Sequence, residues 1–190
     1  MNWDSELFLA INSLAERSAA MDRLMLAFGE ASNLLVPGVL AFGFWVWQKR
    51  KEAVVGAAVL GGLFLLGDLL GAQVKHLIGR VRPCHVLTGV HQLTGCGGTF
   101  SFPSNHALNL AAAAAFLHIL YPRTGWITWP VVLVAGLSRV YVGAHYVTDV
   151  LGGWLIGGLL GTGTALVLLR WSVFGGRLAG HPAGESRPAS

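Results

Sequence analysis

From Leu34 onward the chain is written in long apolar stretches separated by short polar ones. The first runs from about Leu34 to Trp47 and stops at Gln48-Lys49-Arg50-Lys51. The second runs from about Ala53 to Val74 and holds one acid, Asp68. Three more follow, from about His106 to Leu120, Ile127 to Val142 and Val150 to Trp171. Crossing a bilayer as a helix takes ~20 residues, with ~17–25 tolerated. The second and fifth stretches meet this length, the first reaches it once Ala31 to Asn33 join it, and the third and fourth are short. Residues 3–28 are interrupted too often by Asp4, Glu6, Glu16, Arg17, Asp22 and Arg23 to span. Apolar positions recur there at Leu7, Phe8, Ile11 and Leu14, then at Met21, Leu24, Met25 and Phe28, which are helical spacings. One or two amphipathic helices are expected over residues 1–30, lying along a membrane interface and packing on the other helices. The predicted fold is all-α: a polytopic membrane helix bundle of about five transmembrane helices plus this N-terminal segment. Residues 1–175 read as one membrane-embedded domain. The stretch 176–190 is rich in Gly, Pro, Ser and Arg and reads as a disordered tail.

Composition supports the membrane reading. Hydrophobic residues make up 54% and charged residues 12%, about half the charge of a soluble domain. Met1 to Ala10 has no basic start and no small-residue cleavage site behind an early apolar run, so export is expected through the first spanning helix. Five spans place the termini on opposite sides. One side then carries Lys49, Arg50, Lys51, Arg123, Arg170, Arg177 and Arg187. The other carries Arg17, Arg23, Lys75, Arg80, Arg82 and Arg139. Lys75, Arg82 and Arg139 have a separate reason to be basic, given below. With these three set aside, the first side is cytoplasmic by the positive-inside rule, and the loop from Lys75 to Asn105 faces outward. The glycines at 152–153, 157–158, 161 and 163 read as close helix packing.

Three polar clusters fall at the outward face. The first is Lys75-His76-Leu77-Ile78-Gly79-Arg80-Val81-Arg82-Pro83, the second Phe102-Pro103-Ser104-Asn105-His106, and the third Ser138-Arg139 with His145 and Asp149. Lys75, Arg82 and Arg139 gather three cations at membrane depth, where charge is costly unless it is paired or serves a ligand. Too few outward acids are available to neutralise them, so an anion is the economical partner. Arginine suits the bidentate geometry of phosphate and lysine adds a point charge. Ser104, Asn105 and His106 open a helix, where free backbone N–H groups favour an anion. Asp149, four residues past His145, can fix that imidazole's tautomer. His145 is then a candidate nucleophile, leaving His106 as general acid for the departing oxygen.

These motifs resemble the type-2 phosphatidic acid phosphatase superfamily, the lipid phosphate phosphatases. The family pattern is K-x6-R-P, then P-S-G-H, then S-R-x5-H-x3-D. Lys75 to Arg82-Pro83 fits the first, and Ser138-Arg139, His145 and Asp149 fit the third at every specified position. Pro103-Ser104-Asn105-His106 departs from the second by Asn105 in place of Gly. Asparagine is among the residues that tolerate a left-handed backbone. The resemblance covers roughly residues 55–165. It implies a mechanism with no metal or other cofactor, in which His145 attacks phosphorus to form a phosphohistidine and Asp149 orients it. His106 protonates the leaving group, and Lys75, Arg82, Ser104, Asn105 and Arg139 hold the phosphoryl oxygens. Among substrates it points to undecaprenyl pyrophosphate, with phosphatidylglycerol phosphate or phosphatidic acid as runner-up, and with lipid A phosphatase or lipid phosphotransferase chemistry as further alternatives. The expected setting is a bacterial cytoplasmic (inner) membrane with the site facing the periplasm. Lipids are the expected partners; nucleic acid and an obligatory protein partner are not.

The same motifs occur in vanadate-dependent haloperoxidases, but five apolar spans oppose that reading. The intact His106, His145 and Asp149 oppose a non-catalytic lipid carrier. Cys84 and Cys96 share the outward loop, where an oxidising compartment favours a disulfide. Asp68 is expected to pair with Asn109 or His118, His118 to be packed, and Arg80, His85 and His91 to be solvated, with Arg80 within reach of a second phosphate.

Overall fold

The computed structural model describes residues 2–30, 33 and 35–170; the tail expected over 176–190 lies outside the described residues. Among the described residues there is no strand. The helices are α1 (Trp3–Asn12), α2 (Ala19–Gly29), α3 (Leu35–Ile78), α4 (Pro83–Val86), α5 (Asn105–Leu120), α6 (Gly125–Tyr141) and α7 (Val147–Leu168), with a 3-10 turn over Pro122–Thr124. Asn2 caps α1 through the Ser5 N–H and Ser18 caps α2 through the Met21 N–H, each satisfying a donor the helix start leaves free. Phe8 and Met25 are buried from these two helices, while Trp3, Leu7, Leu14, Met21 and Leu24 are exposed. The pair therefore packs inward with one face and keeps other apolar side chains outside.

The first two apolar stretches emerge as the arms of a single element, α3. Lys49 breaks it with φ −147° and ψ 58°. The break is a reversal. A Cβ on Gly56 would fall 2.0 Å from the Trp45 ring, yet residues eleven apart on a straight helix are ~16 Å apart. The chain must fold back at the Gln48-Lys49-Arg50-Lys51 stretch for them to touch. Pro37–Ile78 and Val147–Leu168 are long and apolar enough to cross a membrane, with mean hydropathy 2.1 and 1.6. The Asn105–Leu120 helix is shorter.

The short helix α5 forms the centre. Ala107, Leu108, Ala111, Ala112, Ala114, Ala115, Phe116 and Leu120 are all buried, and α3, α6 and α7 pack around it. Alanines on α5 meet glycines on α7. Cβ atoms built on Gly153, Gly157 and Gly161 would sit 2.6, 2.0 and 2.1 Å from the carbonyl oxygens of Ser104, Leu108 and Ala112. The two backbones touch over two turns because no side chain stands between them. This contact fixes the start of α5 against the start of α7, where His106 and Asp149 lie.

The loop between α3 and α5 is also tied. Gly79, with φ +62°, ends α3 in the left-handed region, the usual glycine stop. Val81 then forms an isolated antiparallel bridge with Phe100, with the Arg82 N–H donating to Thr99 O and the Ser101 N–H to Arg80 O. Cys84 and Cys96 are joined in a disulfide. Arg80 and Arg82, two apart on an extended strand-like run, face the same side.

Candidate active site

Helix ends bring the polar clusters together. The last turn of α3 supplies Lys75, the bridge segment Arg80 and Arg82, and the start of α5 Ser104, Asn105 and His106. The last turn of α6 supplies Arg139, the turn after it His145, and the first turn of α7 Asp149. That turn is built tightly. The N–H groups of Ala144 and His145 both donate to Arg139 O at 3.1 Å. Gly143 has φ +88°, and a Cβ there would lie 2.6 Å from His91 O. The position admits only glycine at low cost, so the His145 backbone is locked to Arg139.

His145 is 4% exposed and Asp149 fully buried. Arg82 Nη1 lies 2.9 Å from His145 Nε2. A guanidinium has only donors, so Nε2 accepts and its lone pair faces the arginine, while the ring proton sits on Nδ1. Nδ1 lies 3.6 Å from Asp149 Oδ2, too long for a hydrogen bond, so Asp149 acts on the ring as a nearby charge. Burial pushes His145 below its ordinary value of 6.5, Arg82 and Arg139 push the same way, and Asp149 opposes them. The ring is held neutral with Nε2 unprotonated, the form a nucleophile needs. His106 Nε2 is 3.0 Å from the Phe28 carbonyl oxygen. A carbonyl only accepts, so this nitrogen carries a proton and is placed to donate.

The three cations are satisfied by neutral oxygens. Arg82 donates to Gly98 O at 2.6 Å and Ala144 O at 2.9 Å. Arg139 donates to Gly29 O at 2.5 Å. Lys75 donates to the Pro103 carbonyl and to Asn105 Oδ1. Among the described residues none of the three forms a salt bridge. A cavity of about 430 Å³ opens beside Lys75 and Arg82, lined also by Ala72, His76, Gly98, Thr99 and Phe100.

Residues 53–172 match the PAP2 superfamily, which is more than half of the 190-residue chain. The chain belongs to that superfamily. Relatives of similar length include the lipid A 1-phosphatase of Rhizobium etli, 28% identical over 202 residues, covering 90% of this chain and 87% of that protein. The undecaprenyl-diphosphatase BcrC of Bacillus subtilis is 31% identical over 166 residues, covering 82% and 79%. A crystal structure of a transmembrane PAP2-type phosphatidylglycerolphosphate phosphatase from Bacillus subtilis superimposes with TM-score 0.63 at 27% identity, covering 95% of this chain and 87% of that one. Aquifex aeolicus LpxE superimposes with TM-score 0.68 at 24% identity, covering 90% and 97%, and bears on the fold alone. As a PAP2 member the chain is a phosphatase of the integral-membrane kind.

Two PAP2 motif residues sit differently from a simple phosphate cradle. Ser104 is fully buried, and its hydroxyl oxygen accepts from the Ala107 N–H as the cap of α5. Asn105 turns its side chain to Lys75 and to Asp68. Asp68 also accepts from Asn109 at 3.0 Å, the asparagine partner expected for it.

Arg80 departs from expectation. Instead of being solvated, it donates to Asp149 Oδ1 at 2.8 Å, Thr148 Oγ1 at 2.5 Å and Asp4 Oδ2 at 2.6 Å, and lies 3.9 Å above the Tyr146 ring. Burial alone raises the Asp4 carboxyl, but hydrogen bonds from Thr148 and Arg80 outweigh it and hold the group low. Arg80 thus occupies one oxygen of Asp149 while the Tyr146 N–H occupies the other at 2.9 Å. The signal in the sequence was the spacing Arg80-Val81-Arg82, which puts both arginines on one side of an extended run. Nothing near Asp4 announced its role 144 residues from Thr148. His91 is likewise engaged, 2.8 Å from Glu16, whereas His85 is exposed as expected.

Proposed function

We propose that this PAP2 phosphatase hydrolyses a lipid phosphate or pyrophosphate at the outer membrane face through a phosphohistidine on His145, with undecaprenyl pyrophosphate as its substrate. One observation carries the reading: Arg82 holds the lone pair of a neutral, buried His145, while among the described residues Lys75, Arg82 and Arg139 have neutral groups and no carboxylate as hydrogen-bond partners. Such cations gain most from a multiply charged anion. The Nε2 lone pair attacks phosphorus as the bond to the leaving oxygen breaks, and His106, entering the step as imidazolium, gives that oxygen the proton on Nδ1 and becomes neutral. Water then attacks phosphorus, the P–N bond to His145 breaks, and the water's proton passes to His106 Nδ1. Inorganic phosphate leaves and both imidazoles return to their starting state. Lys75, Arg82 and Arg139 stabilise the charge on the phosphoryl oxygens, a task that metal ions perform in other phosphatases.

Three further observations support the location and substrate. The Cys84–Cys96 disulfide lies in the loop that carries Arg82, and disulfides persist in oxidising compartments. A reading of five passes, with the two arms of α3 counted separately, sets that loop opposite Lys49, Arg50 and Lys51. Helix α5 has 16 residues and rises only ~24 Å against a hydrocarbon core of ~30 Å. One end of α5 must then sit below the usual surface; with the His106 end as that one, the site lies at headgroup depth, where a lipid presents its phosphate with its tail still in the bilayer. The undecaprenyl assignment rests on the likeness to BcrC. Phosphatidylglycerol phosphate and lipid A are the alternatives, on the likeness to other relatives.

The test is phosphate release in detergent with EDTA from a panel of these lipids and one soluble phosphate ester. His145→Ala should abolish release and vanadate should inhibit it. A strict requirement for added metal overturns the mechanism. A soluble ester turned over as fast as any lipid overturns the substrate class.

A further inference from the structure

The motif mechanism makes no use of Asp68, an acid in the apolar stretch of α3. Helical rise puts it ~10 Å below Lys75, a depth at which a carboxylate is costly unless it is partnered. Its partners are built. Asp68 Oδ1 accepts from Asn105 Nδ2 at 3.1 Å and from Asn109 Nδ2 at 3.0 Å, two amides one turn apart on α5. The facing surface of α3 is cut away for both. A Cβ on Gly71 would fall 2.4 Å from Asn105 Oδ1, and one on Gly67 would fall 2.3 Å from Asn109 Oδ1. On its other side Asn105 Oδ1 accepts from Lys75 Nζ at 2.8 Å.

This chain of bonds has only one polarity. A carboxylate only accepts and an ammonium only donates, so the Asn105 amide must show its NH2 to Asp68 and its oxygen to Lys75. The two charges at its ends polarise the amide in the same sense and strengthen both bonds. We propose that Asp68 is a positioning residue for Lys75, acting through the Asn105 amide to hold the ammonium at the phosphoryl site. The inference rests on the phosphatase reading above. It also gives a physical reason for Asn105 where the family motif has glycine: a glycine leaves Asp68 and Lys75 unconnected.

A double-mutant cycle with two readouts tests this. D68A should lower kcat about tenfold, the scale of one hydrogen bond to a charged group, with KM changed by less than about threefold on the same scale. D68N keeps an acceptor oxygen at the same place and should recover most of that loss. In an N105G background, D68A should add almost nothing, because the connection is already cut. An equal loss in both backgrounds overturns the proposal, and so does a D68N as impaired as D68A. The second readout needs no turnover: acylation of Lys75 by a water-soluble amine-reactive ester, quantified by mass spectrometry on the full chain in detergent. D68A and N105G should each speed labelling several-fold by freeing the ammonium, and unchanged labelling in D68A overturns the proposal. A wild type that releases phosphate from no lipid refutes the function reading alone, since the labelling result still decides the role of Asp68.

Discussion

Replacing Arg80 by methionine tests the network behind Asp149, because methionine keeps an unbranched apolar stem and removes the guanidinium with its charge and donors. In the folded protein Arg80 bridges two carboxylates whose side chains are 0% exposed (Asp149) and 5% exposed (Asp4), and is itself 25% exposed. Removing one partner of a buried pair costs about 3–5 kcal/mol, since the remaining charge stays buried. Water reaches a quarter of Arg80, so screening lowers this to about 2–3 kcal/mol. For a chain of this length that is a fall in Tm of roughly 5–10 °C, readable as thermal unfolding in detergent. Activity should fall by about tenfold or more, because Asp149 then keeps only the Tyr146 N–H to hold it beside His145. D4A leaves the Arg80–Asp149 bond in place and should cost less on both measures. The double variant R80M/D4A removes the stranded Asp4 charge, so its loss should be smaller than the sum of the two single losses by ~1 kcal/mol, as for groups in direct contact. An R80M that melts with the wild type, or losses that add without coupling, refutes the idea that Arg80 supports Asp149.

Three further outcomes follow from packing, titration and the disulfide. Gly157→Val drives a side chain into the Leu108 carbonyl, whereas Gly158 has nothing within 4 Å of an added Cβ. G157V should lose ~3 kcal/mol or more and G158V should melt near the wild type; equal melting of the two would show that α5 and α7 do not touch backbone to backbone. Because burial holds His145 below its ordinary 6.5, the unfolded chain binds a proton there that the folded one refuses. Stability from this group is complete above 6.5 and is lost as pH falls below it, towards the folded value; H145A should flatten that slope in detergent melts between pH 7 and 5. Reducing Cys84–Cys96 opens a loop of 12-residue separation and should cost ~3 kcal/mol by chain entropy. Thiol labelling of both cysteines in unreduced protein would show that the bridge is absent.

The helices and the membership of the site were legible along the chain because both are carried by local chemistry. Apolar runs bounded by charge mark α5, α6 and α7 within a few residues, and the Gly152–Gly163 pattern announced a close helix contact. The three motifs named their own residues. What was hidden depends on contacts that cross the whole chain. Arg80 looked like a solvated cation until the Val81–Phe100 bridge turned it towards Asp149, and Asp4 is joined to the site only by tertiary packing of α1. Asn105 was read as a backbone contact for phosphate, because a helix-start position says where its N–H points but not its side chain. Its amide instead follows the glycine gaps of α3, a facing surface that no periodicity on α5 reveals. The break at Lys49 was visible as a basic stretch, but the reversal needs the contact between Trp45 and Gly56.

The way the cations of the site are satisfied within the protein bears on how a lipid is selected. Each cation of the site donates to a carbonyl or amide oxygen; Arg139 takes the Gly29 carbonyl at the end of α2, and His106 takes the neighbouring carbonyl of Phe28. A cation gains more from an ionised oxygen than from a neutral one, because charge–charge attraction adds to the hydrogen bond. On the proposed mechanism a phosphoryl dianion gains by drawing on the donors of Arg139 and Arg82; of their carbonyl partners, Gly98 is exposed while Gly29 and Ala144 are buried. A neutral or zwitterionic headgroup gains little from the same exchange, and a neutral lipid nothing. On that proposed mechanism, selection for phosphate weighs this gain against the contacts that α2 gives up. Its attachment through Tyr141, whose hydroxyl bonds Leu14 O and Asp22 Oδ1 at 3.0 and 2.7 Å, keeps it in place while they change hands. Tyr141→Phe should then weaken phosphate selectivity more than it weakens turnover of the best lipid, measured as the ratio of kcat/KM values across the panel. Uniform loss on every substrate would mean that α2 serves only to hold the fold together.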